Sequence, residues 1–280
     1  MSITVKIIED SVCAVTGTRI TTLAARYPRM VHAELMTHRV FSRNASSSRA
    51  VPVHKMIEEV LVDPAFPSRF GANQKGMQDK GEDYDALVNG MSARDAWLLA
   101  RDKAVDMAIA FDEARYHKQV VNRLLEPFSH ITVVITSTDW RNFFALRCHE
   151  DADPTMRELA DEMHQEYDRS EPQRLMPNQW HLPFVDAEER QKFTLPETLM
   201  MSSARCARVS YRNHENVVPT LMEDTALYNR LVRADLVHAS PTEHQARPDP
   251  AGIEEHLWGN FHGFVQHRKT IPNEAQHEVR

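Results

Sequence analysis

The chain has 280 residues, of which 42% are hydrophobic and 26% are charged, and its formal net charge is −7. This balance is typical of a soluble globular protein with a sizeable core, whereas a general binder of long nucleic acids would usually be basic. Three widely spaced cysteines without a CxxC pair argue for a reducing compartment and against a disulfide framework or a structural zinc site. Because neither a signal-like start nor a long apolar run is present, we expect a cytoplasmic protein without membrane attachment.

The first half of the chain predicts two strands followed by helices. β-Branched residues predict the strands on both sides of a turn at Gly17. Proline favours a helix start at Pro28, and apolar residues at helical spacing predict a long helix after an N-cap at Ser92. In chain order the elements are strands 3–8 and 18–25, the helix from Pro28, a loop over 40–52, a helix over Val53–Val62, an ordered loop over 63–82 and the helix after Ser92.

The second half predicts more helices than strands. A short buried strand covers 131–136, and Pro154 opens a helix that continues to Met163. The other elements are helices over 117–125, 139–146 and 220–234, an irregular segment over 170–200 with four prolines, and a final strand pair within 256–270. The mixture predicts one α/β (α+β) domain over residues 1–280, with a central mixed or antiparallel sheet flanked by helices.

Residues 35–57 contain no acidic side chain, although the whole chain carries a net charge of −7. They contain three arginines and one lysine among serine and asparagine, and they run from a predicted loop into a predicted helix. Arginine forks, serine hydroxyls and backbone N–H groups at such a junction suit phosphate oxygens. The segment therefore predicts a site for a small phosphorylated ligand, with a solvated serine-rich loop as the alternative.

The sequence THRVFSRNASSSR at residues 37–49 resembles the RHR-x7-S signature of the flavin-dependent (alternative) thymidylate synthases. The fuller pattern, HR-x-x-S-x-N-x-x-S-x-R, is matched at six positions, which makes it more specific than one short motif. The matched positions are His38, Arg39, Ser42, Asn44, Ser47 and Arg49. The resemblance implies an alternative thymidylate synthase-like fold.

Further segments are similar to the same family. DWRNFFALR at 139–147 resembles its N-F-x-x-L-R helix, and Arg123 stands ahead of Pro127 as does an arginine that contacts the nucleotide. A-R-V-S at 207–210 and H-A-S-P-T-E-H at 238–244 resemble its flavin-binding elements. In the usual family member these last two elements come before RHR-x7-S, whereas here they come after it.

The changed order predicts a circular permutation, which proteins tolerate when their termini lie close together at the surface. Residues 1–165 then resemble the later part of a usual family chain, and 200–245 resemble the earlier part. Residues 63–82 and 165–200 are predicted insertions or loops within the single catalytic domain.

The resemblance implies transfer of a one-carbon unit from methylenetetrahydrofolate to C5 of dUMP, which gives dTMP. FAD is the implied cofactor and NADPH the implied reductant, so the protein has to orient rings and stabilise charge. A homotetramer with FAD at the subunit interfaces is also implied. The sequence holds 15 histidines but neither HExxH nor paired Cys/His spacing, so we predict no metal.

Individual roles follow from the resemblance. Arg147 and Ser47 are the implied catalytic residues. A guanidinium beside a pyrimidine carbonyl oxygen stabilises the charge that collects there, and the alternative for Arg147 is a surface ion pair with Glu150 or Asp151. Ser47 is expected to form hydrogen bonds rather than to attack, because no local His/Asp pair would activate it. The implied nucleotide-binding residues are Glu34, Thr37, Ser46, Ser47, Ser48, Arg49, Arg123 and Arg147. The implied flavin-binding residues are His38, Arg39, Asn44, Asn142, Ser210, His238, Ser240 and Glu243, with His244 left open.

Three places depart from the family pattern. Thr37 replaces the first arginine of RHR, Glu34 stands where glutamine is common, and 136–139 replaces an N-x-R stretch that helps to hold flavin. A carboxylate can accept from the exocyclic amine of cytosine. Methylation or hydroxymethylation of a nucleotide such as dCMP is therefore one alternative, and a non-catalytic nucleotide-binding relative is another.

Overall fold

A five-stranded sheet forms the centre of the computed structural model, which describes residues 3–79, 84–209, 218–233, 237–272 and 274–275. The sheet has the strand order β3-β4-β2-β1-β5. Its strands are β1 (Thr4–Cys13), β2 (Arg19–Pro28), β3 (Ser42–Ala45), β4 (His130–Ser137) and β5 (Gln173–Leu175). The first four strands pair antiparallel, and β5 runs parallel to β1. This mixed sheet, flanked by helices, confirms the predicted fold class.

The hairpin of β1 and β2 turns at a glycine. Gly17 has a φ of 74°, a backbone conformation that glycine adopts without steric cost. The turn is closed by hydrogen bonds from Gly17 N to Cys13 O at 2.9 Å and from Cys13 N to Thr18 O at 2.8 Å. The two strands predicted around this turn are confirmed, and both continue further than expected.

Helices pack around this sheet. Within the described residues they are α1 (His32–Met36), α2 (Val53–Val62), α3 (Ala93–Glu113), α4 (Lys118–Val121), α5 (Arg141–Arg147), α6 (Pro154–Arg169), α7 (Ala187–Lys192), α8 (Leu195–Arg208), α9 (Leu221–Val232) and α10 (His267–Thr270). Ser92 caps α3 by accepting from Asp95 N, and a capping box of Thr220 and Glu223 starts α9. None of the helices described is long and apolar enough to cross a membrane.

One face of the sheet carries the main hydrophobic core. Leu23 of β2 and Ile135 of β4 pack in one cluster with Phe143 of α5 and with Met156 and Leu159 of α6. Each of these side chains is at most 1% exposed. Burial of one large apolar side chain stabilises the fold by about 1.5–3 kcal/mol. This contact therefore fixes α5, and with it the position of the last residue of α5, Arg147.

The opposite face of the sheet carries a buried chain of hydrogen bonds, which we call the polar relay. Thr22 and Thr136 are register partners, with 2.6 Å between their hydroxyl oxygens. Thr136 Oγ1 lies 2.7 Å from His244 Nδ1, and Thr22 Oγ1 lies 2.8 Å from His181 Nε2. His181 Nδ1 lies 2.9 Å from Ser11 Oγ. All five residues are fully buried, so the relay ties the segments around His181 and His244 to the sheet.

Three sequence predictions of local structure are wrong. The 40–52 loop contains β3, which forms because it pairs with β4 at the edge of the sheet. The supposedly irregular segment 170–200 contains β5, α7 and the start of α8, and its Pro196 lies in the first helical turn, where proline is tolerated. The strand pair expected within 256–270 is a single strand, β7 (Phe264–Gln266), whose partner β6 (Ala246–Pro248) precedes that range.

Candidate active site

Two distant parts of the chain meet at a cavity of about 690 Å³, which we call the first cavity. Asn44, Ser47 and Arg49 line it from the 37–49 segment, and His238 and Ser240 line it from the 238–244 segment. Strand β3 places Asn44 through its pairing with β4, and the polar relay holds the end of the second segment. Residues from two separate motifs thus share one cavity within a single chain.

The first cavity is basic. Arg43, Arg49 and Lys118 line it, and its described lining contains no carboxylate. Arg43 Nη1 donates to the carbonyl of His38 at 3.2 Å, and Lys118 Nζ donates to the carbonyl of Ala50 at 3.2 Å, so both cations also hold the wall in shape. A cleft lined by charge of one sign favours ligands of the opposite sign. The first cavity is therefore suited to an anionic ligand.

A second cavity, of about 490 Å³, lies against the same segment. Ser46, Ser47 and Ser48 line it, together with residues from the ends of β2 and β4. Ser47 and Ala50 line both cavities, and we call these two residues the shared wall. Ligands in the two cavities would be separated by little more than this stretch of chain.

Hydrogen bonds fix the serines on either side of Ser47. Ser46 N donates to Thr132 O at 2.8 Å, and Ser46 Oγ accepts from Thr132 N at 3.0 Å. Ser48 Oγ donates to Glu126 Oε1 at 2.6 Å, and the buried Asn122 Nδ2 donates to Ser48 O at 2.7 Å. The neighbours of Ser47 are therefore anchored to β4 and to the turn that follows α4.

Arg147 is held by two residues of the 37–49 segment. Its Nε donates to His38 Nε2 at 3.0 Å, and its Nη2 donates to Thr37 Oγ1 at 3.2 Å. Because arginine has no acceptor, His38 accepts at Nε2 and carries its proton on Nδ1. Thr37 Oγ1 donates its own proton to the Glu34 carbonyl at 2.6 Å, which leaves its oxygen free to accept from Arg147.

Burial keeps His38 neutral. The residue is 8% exposed, and its ring meets the ring of Phe143 edge-on, with 4.9 Å between the ring centroids. Burial, together with the charges of Arg147 and Arg43, lowers the pKa of His38 to about 4. A neutral His38 accepts from Arg147, whereas a protonated one would repel it. Thr37 has a parallel effect, because its hydroxyl oxygen accepts from Arg147 and helps to orient it.

Several residues of the predicted site lie outside the lining of both cavities. The Arg123 side chain is 62% exposed and lies 3.6 Å from Glu126. Glu243 forms an ion pair with Arg268. Arg39 and Asn142 are exposed, and Ser210 lies outside the described residues. His244, whose role the sequence left open, is buried in the polar relay.

The acidic residues near Arg147 do not engage it. Within the described chain, Arg147 forms no ion pair with Glu150 or Asp151, and Asp151 lies 3.6 Å from His149 instead.

Glu34, on the same turn as Thr37, has a buried carboxylate oxygen, Oε2, for which the described residues supply no hydrogen-bond partner. They also contain no group of three or more His, Cys, Asp or Glu that could hold a metal.

Sequence reasoning missed other residues of the two cavities. His117 and Lys118 line the first cavity, and a basic pair at the start of α4 was a usable signal for them. Arg29 and His130 line the second cavity. They come together only because β2 and β4 pair with Pro28 opposite His130, and no local pattern reveals that register.

Comparison with solved structures gives distant likenesses. The UMP/dUMP methylase PolB from Streptomyces cacaoi bound with 5-Br UMP is 16% identical, with 62% of this chain and 90% of that chain covered and a TM-score of 0.44. The flavin dependent thymidylate synthase ThyX from Helicobacter pylori complexed with FAD and dUMP is 14% identical, with 53% and 67% covered and a TM-score of 0.36. Structural similarity at these sequence identities and TM-scores does not support a conclusion about function. Comparison with curated proteins found no match.

A family model supplies the stronger result. The model described as "Thymidylate synthase complementing protein" matches residues 18–173, which is more than half of the chain. The match begins just before β2 and ends at the start of β5, and it includes the 37–49 segment and α5. The chain therefore belongs to the thymidylate synthase complementing protein family, the flavin-dependent thymidylate synthase-like methyltransferases that its motifs resemble.

Proposed function

We propose that the protein transfers a one-carbon unit from methylenetetrahydrofolate to C5 of dUMP, giving dTMP, with FAD as cofactor and NADPH as reductant. The observation that carries this proposal is the shared wall. Ser47 and Ala50 line both a basic cavity with flavin-type motif residues and a second cavity with serine hydroxyls. A transfer reaction needs its reactants held close together in a fixed arrangement, and one thin wall between two ligands supports that arrangement.

The first cavity fits FAD in the chemistry of its lining. Arg49 and Lys118 are cations suited to a diphosphate, and Asn44, His238 and Ser240 offer neutral polar groups for ring and ribose atoms. Bound FAD would supply the redox chemistry of the reaction. The part of this chain is to bind and orient it.

The second cavity is our proposed site for the nucleotide. Ser46, Ser47 and Ser48 line it. Ser48 Oγ already donates its proton to Glu126, so the hydroxyls of Ser46 and Ser47 are the proposed donors to a phosphate or sugar oxygen. Arg49 and Arg123 are proposed phosphate contacts on the family pattern, but Arg49 lines the first cavity and Arg123 is exposed. Neither arginine lines the second cavity, so a phosphate bound there would need another cation from the lining of that cavity.

Arg147 is our proposed catalytic residue. C5 of a pyrimidine reacts as a nucleophile when negative charge collects on the ring carbonyl oxygens, and a fixed guanidinium stabilises that charge. His38 and Thr37 fix Arg147, so little reorganisation is needed during the reaction. Because Arg147 lines neither cavity of its own chain, this role requires it to face the site of another copy, as in the proposed homotetramer.

Other proposed flavin contacts follow the same reasoning. His38, Arg39, Asn142 and Glu243 lie outside the lining of the first cavity in one chain, so we place them, like Arg147, at an interface between copies. The circular permutation is also part of the proposal. It is supported by the limits of the family match, which covers 18–173 but not the motifs at 207–210 and 238–244.

A substrate with a cytosine base, such as dCMP, is the second candidate. The observation that favours it is the buried Glu34 Oε2, which has no partner among the described residues and lies on the turn that holds Arg147. Glu34 lines neither cavity of its own chain, so in this proposal it acts, like Arg147, at the site of another copy. A carboxylate accepts from an amino group, and cytosine offers one where uracil has a carbonyl. The product could then carry a methyl or a hydroxymethyl group.

The test is turnover by the purified protein with FAD, methylenetetrahydrofolate and NADPH, given dUMP and dCMP in separate reactions. We expect dTMP from dUMP, measured by mass spectrometry of the products. Exclusive turnover of dUMP would exclude the cytosine proposal, and exclusive turnover of dCMP would exclude the uracil one. A colourless protein whose Tm does not change with added FAD would contradict both and favour a non-catalytic nucleotide binder.

A further inference from the structure

The charged groups of the second cavity do not all pair with one another. Its lining contains the carboxylates of Glu58, Glu59 and Asp63. Arg26 lies 2.8 Å from Asp63 and 3.6 Å from Glu59, and Lys55 lies 3.2 Å from Glu58. Each carboxylate of the lining therefore has a cation beside it, and the cations involved are Arg26 and Lys55.

Arg29 is the remaining cation of this lining, and it forms no ion pair with the described carboxylates. Its Nε donates to Ser129 Oγ at 3.1 Å, which leaves both Nη groups available. Burial lowers the pKa of Arg29, and the more distant charges of Glu126 and Glu59 offset this only in part. A partly buried guanidinium without a counterion is unfavourable unless an anion joins it. Because Arg29 lines a cavity, the anion can come from a ligand.

His130 belongs to the same lining and carries a defined hydrogen-bond donor. Arg26 Nη2 donates to His130 Nδ1 at 3.0 Å, and Arg26 is itself held by Asp63. Because arginine only donates, His130 Nδ1 must accept, and the ring proton must therefore be on Nε2. Burial and the adjacent Arg26 lower the pKa of His130 to about 4, so the ring is neutral at pH 7.

The Nε2–H of His130 is unused in the described protein. The residue is 4% exposed, and Nε2 is itself buried and has no hydrogen-bond partner among the described residues. A buried N–H without a partner costs about 1–3 kcal/mol, so an acceptor oxygen placed there by a ligand would be favourable. Because Arg29 is the group suited to the phosphate, the donor of His130 is left for a neutral acceptor such as a base carbonyl or a sugar hydroxyl.

We infer that the second cavity binds a nucleoside monophosphate through two residues outside the family-like motifs, with Arg29 receiving the phosphate and His130 donating Nε2–H to a neutral oxygen of the nucleoside. The inference rests on the proposed function for the choice of a pyrimidine nucleotide. It adds two features to that site. Arg29 is a cation for the phosphate, and Arg26, held by Asp63, fixes the tautomer of His130. Arg29 and His130 lie at the ends of β2 and β4, on the second-cavity side of the shared wall.

Calorimetry on the FAD-loaded protein tests Arg29. We expect Arg29→Gln to weaken dUMP binding by about 10- to 100-fold, the range for losing a charge-assisted hydrogen bond, and to leave deoxyuridine binding unchanged. Arg29→Lys, which keeps the charge but loses the fork, should give an intermediate loss. Equal losses for dUMP and deoxyuridine, or no loss for either, would overturn the role of Arg29.

A matched pair of variants tests His130. His130→Gln keeps an N–H near the position of Nε2, whereas His130→Asn keeps an acceptor near Nδ1 for Arg26 but removes the donor. We expect deoxyuridine to bind the Asn variant about 10-fold more weakly and the Gln variant within about twofold of wild type. If 2-deoxyribose 5-phosphate shows the same loss, the acceptor is on the sugar, and if it shows none, the acceptor is on the base. Wild-type affinity for deoxyuridine in the Asn variant would overturn the role of His130.

The outcomes separate this inference from the proposed function. If dUMP is turned over but Arg29→Gln binds it as wild type does, the inference fails and the function stands. If dUMP binds with the expected losses but gives no product, the function fails and the inference stands. Inorganic phosphate alone is an additional probe. Absence of a Tm increase with phosphate in the wild type, or an equal increase in Arg29→Gln, would also overturn the inference.

Discussion

Replacement of Thr136 by valine tests whether the polar relay stabilises the sheet and the 238–244 segment together. Valine has nearly the shape of threonine, so the change removes the hydroxyl and creates little empty space. His244 Nδ1 loses its partner, while its Nε2 already has none among the described residues. A buried polar group without a partner costs about 1–3 kcal/mol, and loss of the bond to Thr22 costs about 0.5–1.5 kcal/mol. We therefore expect Thr136→Val to lower the free energy of unfolding by about 2–4 kcal/mol.

Urea denaturation monitored by tryptophan fluorescence measures this loss, with Thr136→Ser as the control that keeps the hydroxyl. We also expect weaker FAD binding, because His244 ends the segment that brings His238 and Ser240 to the first cavity. Ser11→Ala is the second control, since it breaks the far end of the relay, at His181. It should lower stability but leave FAD affinity unchanged. A Thr136→Val protein within about 0.5 kcal/mol of wild type would refute the reasoning.

Three further predictions concern Arg147 and the buried histidines. Arg147→Ala should lower kcat by at least about 100-fold while the flavin absorbance of the purified protein remains, and normal turnover would refute its assignment. Thr37→Val should lower kcat by about 10-fold, because Arg147 loses one of its two holding contacts, whereas Thr37→Ser should retain it; equal rates would contradict the orienting role. His38 and His244 have pKa values lowered to about 4 and about 3, so unfolding takes up protons below pH 6.5 and the free energy of unfolding should fall between pH 6.5 and 4. Identical urea midpoints at pH 7 and pH 5 would argue against this.

Local signals in the sequence predict much of the fold. Ser92 and Thr220 start helices because each side chain caps the first turn, and that chemistry is visible in the sequence. Strand β3 was missed because Ser-Arg-Asn-Ala has no strand-like composition and becomes a strand only through its partner β4. Helix α8 was missed because Pro196 was interpreted as a sign of irregular structure, although proline also starts helices.

The residues of the candidate site also fall into two groups, those predicted from the sequence and those that only the fold reveals. The family-like pattern predicts Asn44, Ser47 and Arg49 as site residues, and the fold brings these residues into one cavity with His238. Arg29 was not identifiable in advance, because its importance depends on which neighbouring charges are already paired. Such pairing is a property of the folded chain and leaves no pattern in the sequence.

The shared wall has a consequence for how the two cavities respond to their ligands. Ser47 and Ala50 contact both spaces, so a shift of this segment toward one ligand changes the shape offered to the other. If binding in one cavity changes affinity at the other, thermodynamic linkage requires the reverse change to have the same factor. The shared wall is therefore where the two proposed binding equilibria would be coupled, and each affinity measured with the other cavity filled and empty would give the size of that coupling.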